Sequence, residues 1–156
     1  MESASIEWPA IVYNLLHVGA AYVFSLPVAW NREHGEGGAG LRTFPLVSIA
    51  SCGYCLIALR AFPEHADAQA RILAGLMTGI GFIGGGAILK QGSDVRGVAT
   101  AASIWATGAI GGAVAFARFE IAILISLATF LTLSFMSPIK KEINSDDAGD
   151  KTGSSS

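Results

Sequence analysis

Apolar residues run through the chain in five long stretches, each close to the length of a membrane-spanning helix and each bounded by a short polar break. The first covers residues 8–30, with Trp8 and Trp30 at its ends where aromatic belts sit. Pro9 falls where a first helical turn accepts proline, and Pro27 predicts a kink or an end. No lysine or arginine precedes this stretch, so it is read as a retained span and not as a cleaved leader. Residues 31–43 (NREHGEGGAGLRT) break the pattern with charge and glycine. The second stretch covers 44–62 and is interrupted only by Arg60, which can snorkel outward from its end. A turn at 63–67 leads to the third, 70–89, and the loop KQGSDVR at 90–96 leads to the fourth, 97–117, which carries no charge. Arg118, Phe119 and Glu120 make a tight turn before the fifth, 121–137. Residues 138–156 turn charged and serine-rich, which predicts a short disordered tail. The expected architecture is all-α: a polytopic transmembrane helix bundle of five spans over residues 1–137.

Composition supports a bilayer as the solvent. Hydrophobic residues make up 52% and charged ones 14%, where a soluble domain carries about a quarter charged. Nineteen glycines fit a protein whose helices touch inside lipid. A net charge of −2 offers no basic face for nucleic acid. Lysine and arginine are distributed unevenly. Seven fall in the first loop, the third loop and the tail, against Arg60, Arg71 and Arg118 on the other side. By the positive-inside rule the N-terminus is therefore outside and the C-terminus cytoplasmic. Cys52 and Cys55 form a CxxC, but it lies inside an apolar span without a βαβ pattern, which argues against redox work. Gly79–Gly84 matches G-x-G-x-x-G, yet it sits inside a membrane-length run with Ile104 where a ribose-binding acid belongs. No cofactor or metal is expected.

A rotation of about 100° per residue sorts each span into faces. Gly75, Gly79 and Gly86 share one face of span three, and Gly81, Gly84 and Gly85 another, which predicts that this helix sits in the middle of the bundle. Span four aligns Gly97, Ala101, Gly108 and Gly112, with Thr100, Ser103 and Thr107 on the adjoining strip. Gly75, Gly79, Gly81, Gly85, Gly108 and Gly112 are thus expected to be helix-packing positions. Span two groups Ser48, Ser51, Cys52 and Cys55, and span one Asn14, His17, Ala21 and Ser25. Hydroxyls on such strips can bond to the carbonyls of their own preceding turn. Asn14 and His17 are expected to bond between helices. Span five, rich in isoleucine, leucine and phenylalanine, reads as peripheral.

The informative charges lie at the predicted cytoplasmic ends: Arg32 and Glu33 after span one, Arg42 and Thr43 entering span two, and Lys90, Asp94 and Arg96 before span four. Positive-inside anchoring accounts for the arginines but not for Glu33 and Asp94. Together with Thr100 these residues form a candidate cytoplasmic contact or ion site. At these positions the sequence resembles the MgtC/SapB family of bacterial membrane proteins. That family shows G-x-E-R-E, A-G-L-R-T-H-x-L-V, G-I-G-F-L-G-A-G and G-L-T-T-A-A-x-x-W. The chain has NREHGEGGAGLRTFPLV from Asn31 to Val47 and GIGFIGGGAILKQGSDVRGVATAASIWATGAIG from Gly79 to Gly111. It departs with Asn31 before Arg32-Glu33, Phe44 for a usual histidine, and Val98-Ala99 for Leu-Thr.

The resemblance implies a short family form without the soluble C-terminal domain of larger relatives. It also implies a role in growth under magnesium limitation and in survival inside host cells; one member type restrains the membrane ATP synthase. Magnesium transport is the label on many members, but magnesium asks for carboxylates and water in octahedral geometry, and the predicted spans hold no Asp or Glu. The leading expectation is therefore a non-enzymatic membrane protein linked to magnesium homeostasis or stress adaptation. Its partners would be the bilayer and another membrane complex or a second copy. The alternative is a small transporter or channel for magnesium or another small ion. No span offers a nucleophile with a paired base, so catalysis is not expected.

Overall fold

In the computed structural model the apolar stretches become five helices that run alternately up and down. Residues 7–33, 39–92 and 94–152 are described, with side chains for all of these but 91, 94 and 136–152. The helices are α1 (Trp8–Glu33), α2 (Thr43–Ala61), α3 (Ala66–Gly86), α4 (Val98–Ala115) and α5 (Phe119–Thr152). Length and composition suffice for a membrane crossing in α1, α2 and α4. The apolar part of α5, Phe119–Phe135, is shorter, and α3 opens with a polar turn containing Asp67, Gln69 and Arg71.

Between α3 and α4 the expected loop is a small hairpin, in which β1 (Leu89–Gln91) pairs antiparallel with β2 (Asp94–Arg96). Gly92 turns it at φ +62, a conformation that glycine adopts without a steric penalty. Gly97 then enters α4 at φ +85 with its α-carbon packed on the carbonyl of Ala87, so a side chain there would overlap backbone. α5 continues past Pro138 to Thr152, where the sequence points to a disordered tail. Lys140, Lys141, Glu142 and Ala148 are residue types that sustain a helical backbone.

The middle of the bundle belongs to α4, which corrects the expectation for span three. α4 packs against all four other helices and buries ten residues, whereas α3 buries only Ile80 and Gly84 among its described residues. The physical reason is which small residues meet a neighbour. Gly111 of α4 lies directly on the Ser48 carbonyl of α2, Gly108 receives the Ile80 side chain of α3, and a Cβ added at Gly84 of α3 would stand 3.1 Å from the Ala101 carbonyl oxygen. At Gly112 an added Cβ would sit 3.9 Å from the Cys55 sulfur, an ordinary contact. At Gly75, Gly79, Gly81 and Gly85 it would meet nothing within 4 Å, so these four expected packing positions are open on this chain.

Buried hydroxyls fasten the centre. Ser51 donates to Val47 O, Ser103 to Ala99 O and Thr107 to Ser103 O, all within their own helices at 2.7–2.8 Å. Two others cross to α1: Ser48 Oγ donates to Ala21 O at 2.8 Å and Ser126 Oγ to Phe24 O at 2.6 Å. His17 is buried, but its Nδ1–H donates to Tyr13 O at 2.8 Å in its own helix, contrary to the expected bond between helices. Its ring instead packs 5.5 Å from that of Phe119 on α5.

Candidate functional site

One end of the bundle gathers the end of α1, the starts of α2 and α4, and the hairpin. α1 keeps a helical backbone to Glu33, which carries Arg32 up to the first turn of α4. There Arg32 Nη2 donates to Thr100 Oγ1 at 2.7 Å. Thr100 is 1% exposed, so the hydroxyl is fixed, and the guanidinium is held half-buried on it. The Arg32 Nε–H is buried and has no hydrogen-bond partner among the described residues. One residue earlier, Asn31 Nδ2 donates to Ser134 Oγ of α5 at 2.9 Å. Two adjacent polar residues therefore tie the end of α1 to α4 and to α5.

Glu33 has a different task. Its Oε2 accepts the backbone N–H of Leu41 at 2.8 Å, and the Gly40 backbone lies against the same carboxylate so closely that a Cβ would overlap it. Glu33 thus anchors the return of the chain into α2. Arg42 follows at once, exposed at the N-cap of α2 without a side-chain cap bond, and Thr43 is the half-buried first helical residue. Lys90 and Arg96 are exposed on the two strands of the hairpin. Asp94 belongs to β2, but its side chain lies outside the described ones.

Of the eight residues singled out from sequence, the structure joins Arg32 to Thr100 directly. Glu33 is set beside the backbone just before Arg42, and Lys90, Asp94 and Arg96 lie on one hairpin. The Asn31–Ser134 tie was not anticipated. Its partners are 103 residues apart, and only the placement of α5 brings them together. Gly97 was read as a packing position, yet its positive φ and close backbone contact make it the joint that seats the hairpin on α4.

The described side chains at this end carry four cations, Arg32, Arg42, Lys90 and Arg96, and one carboxylate already committed to a backbone amide. Such a surface attracts an anionic or acidic partner, and the planar fork of a guanidinium suits an oxyanion. Among the described residues no group of three or more His, Cys, Asp or Glu is arranged to hold a metal ion. The opposite end shows an exposed ion pair, Arg60 to Glu7 at 3.2 Å, of a kind worth little in stability.

The MgtC family model matches residues 18–142. An uncharacterized protein of Synechocystis sp. is 32% identical over 139 residues, which cover 89% of this chain and 57% of that protein. Protein MgtC of Salmonella typhimurium is 33% identical over 127 residues, 81% of this chain and 52% of its own length. YhiD of Escherichia coli, whose name puts it forward as a magnesium transporter, is 35% identical over 112 residues, 68% of this chain and 52% of its own. The chain thus spans little more than half the length of these relatives. No solved structure matches.

Proposed function

The chain belongs to the MgtC family, and from that premise we propose that it is a multi-pass protein of a bacterial inner membrane that serves magnesium-linked stress adaptation by engaging another membrane complex. The observation that carries this reading is the Arg32–Thr100 bond: a half-buried cation is fixed at one end of the bundle, with Arg42, Lys90 and Arg96 exposed on the elements around it. Seven of the ten basic residues fall on this side of the chain's topology, which supports a cytoplasmic position for it and an external N-terminus. The names of the Salmonella and Escherichia relatives support the link to magnesium.

A contact role suits the residues better than passage of a dication. No Asp or Glu occurs in the apolar stretches, and the hydroxyls at the centre of α1, α2 and α4 are bonded to carbonyls in a closely packed interior. The four cations at the proposed cytoplasmic mouth also repel magnesium. The name of YhiD favours the second reading, transport of magnesium or another small ion.

A photocrosslinking residue placed at Arg42 or Lys90, in cells starved of magnesium, tests the first reading against controls at Phe62 and Glu64 of the opposite end. The expected result is a discrete protein adduct from the Arg42 and Lys90 positions alone. If these positions give no adduct while the variants still support growth, the contact reading is wrong.

A further inference from the structure

α3 and α5 both lie on α4, and between them they leave a groove of ≈ 340 Å³. That volume falls within the range of small-molecule sites, about 300–1,000 Å³. Gly108, Ala109, Gly112 and Ala113 of α4 lie along its floor, and every lining residue is apolar except Arg118. Arg118 stands exposed in the turn that joins α4 to α5, and among the described residues no carboxylate pairs with its guanidinium. At the far end Trp105 is 49% exposed. From Trp105 to Phe116 the α4 axis rises by about 16 Å at ~1.5 Å per residue. That is close to half of the ~30 Å hydrocarbon thickness of a bilayer. The groove is therefore one leaflet deep, with a cation at its mouth and an aromatic ring near the membrane midplane.

We propose that this groove holds an acyl chain of one anionic phospholipid, whose phosphate rests on Arg118. A second protein helix laid into the groove would have to bury the guanidinium against apolar residues, which is costly for an unpaired charge. A lipid avoids that cost, because its chain matches the lining and its headgroup supplies the counter-charge at the correct depth. The proposal holds whichever side of the membrane Arg118 faces.

The full chain carrying Trp8→Phe and Trp30→Phe keeps Trp105 as its single tryptophan. It is placed in phosphatidylcholine vesicles doped with phosphatidylglycerol brominated near the chain ends, so that quenching reports a chain in contact with Trp105. The expected preference for brominated phosphatidylglycerol over brominated phosphatidylcholine is about fivefold, the effect of one basic residue near an anionic headgroup. Arg118→Gln should abolish the preference while phosphatidylcholine still quenches, and Ala109→Phe, on the exposed floor, should lower quenching by both lipids. Equal quenching by the two lipids in the Arg118 protein would overturn the proposal, as would a preference that survives Arg118→Gln. Absence of quenching by either lipid would mean that protein covers the groove, and would overturn it as well.

Discussion

Gly111→Ala is the substitution that most directly probes how α4 meets α2. A Cβ at this position would stand 2.9 Å from the Ser48 carbonyl carbon and 3.0 Å from Ser51 Cβ, with the Ser48 carbonyl oxygen closer still. Carbon contacts are comfortable at about 3.5–4.0 Å, so α2 and α4 must move apart by several tenths of an ångström or more. The obstruction is backbone and cannot rotate away, which places the cost in the upper part of the usual overpacking range, about 2–3 kcal/mol. Alanine also gains about 0.8–1.0 kcal/mol over glycine as a helix former, so the net loss should be about 1–2 kcal/mol. Gly79→Ala supplies the control, since a Cβ there meets nothing within 4 Å and only the propensity gain remains. That gain is common to both variants and cancels in their difference, leaving the overpacking cost of about 2–3 kcal/mol by itself. The assay is reversible unfolding in mixed micelles titrated with dodecyl sulfate, followed by far-ultraviolet circular dichroism. Equal stability of Gly111→Ala and Gly79→Ala would refute the close α2–α4 approach.

Two further perturbations test the end of the bundle. Thr100→Val removes the oxygen that accepts from Arg32 Nη2, and a double-mutant cycle with Arg32→Met should show a coupling of about 1.5–3 kcal/mol, the range for hydrogen bonds to charged groups. A coupling near zero would mean that the bond does not hold α1 to α4. Gly97→Ala should cost at least about 1–3 kcal/mol, because its φ of +85 is strained for alanine and its Cβ meets the Ala87 carbonyl. Gly92→Asn should be nearly neutral by the same unfolding assay, since asparagine tolerates a positive φ and the surrounding space is open. Reversal of that order would place the backbone constraint on the hairpin turn instead of the joint.

Three helices were plainly legible because α1, α2 and α4 each fill a membrane-length apolar run that no soluble helix needs. The hairpin was not, since strands of three residues carry too little alternation to stand out. Gly92-Ser93 between them is nevertheless a known turn pair. The glycines of α3 show why a stripe does not name its partner. Two faces of that helix carry small residues, and the one that meets α4 is chosen by where Ile80 and Ala101 project, which no single-helix periodicity contains. Arg32 and Thr100 were both singled out from sequence as members of one charged cluster, but their pairing depends on the crossing of α1 and α4. The hydroxyl strips were read correctly where the bond is local, as for Ser51, Ser103 and Thr107. They were incomplete where Ser48 reaches across to α1, and Ser126 of α5, which lay on no strip, makes a second such bond.

The central claim is that the protein works through contacts at its basic end and does not itself carry magnesium across the membrane. Magnesium uptake into proteoliposomes that contain the folded full chain tests it most directly, with phosphate and proton fluxes measured alongside. The account predicts magnesium flux no greater than in protein-free vesicles. Saturable magnesium uptake that is lost in Arg42→Ala or Asp94→Ala would contradict it, and would make the charged cluster the mouth of a transport path.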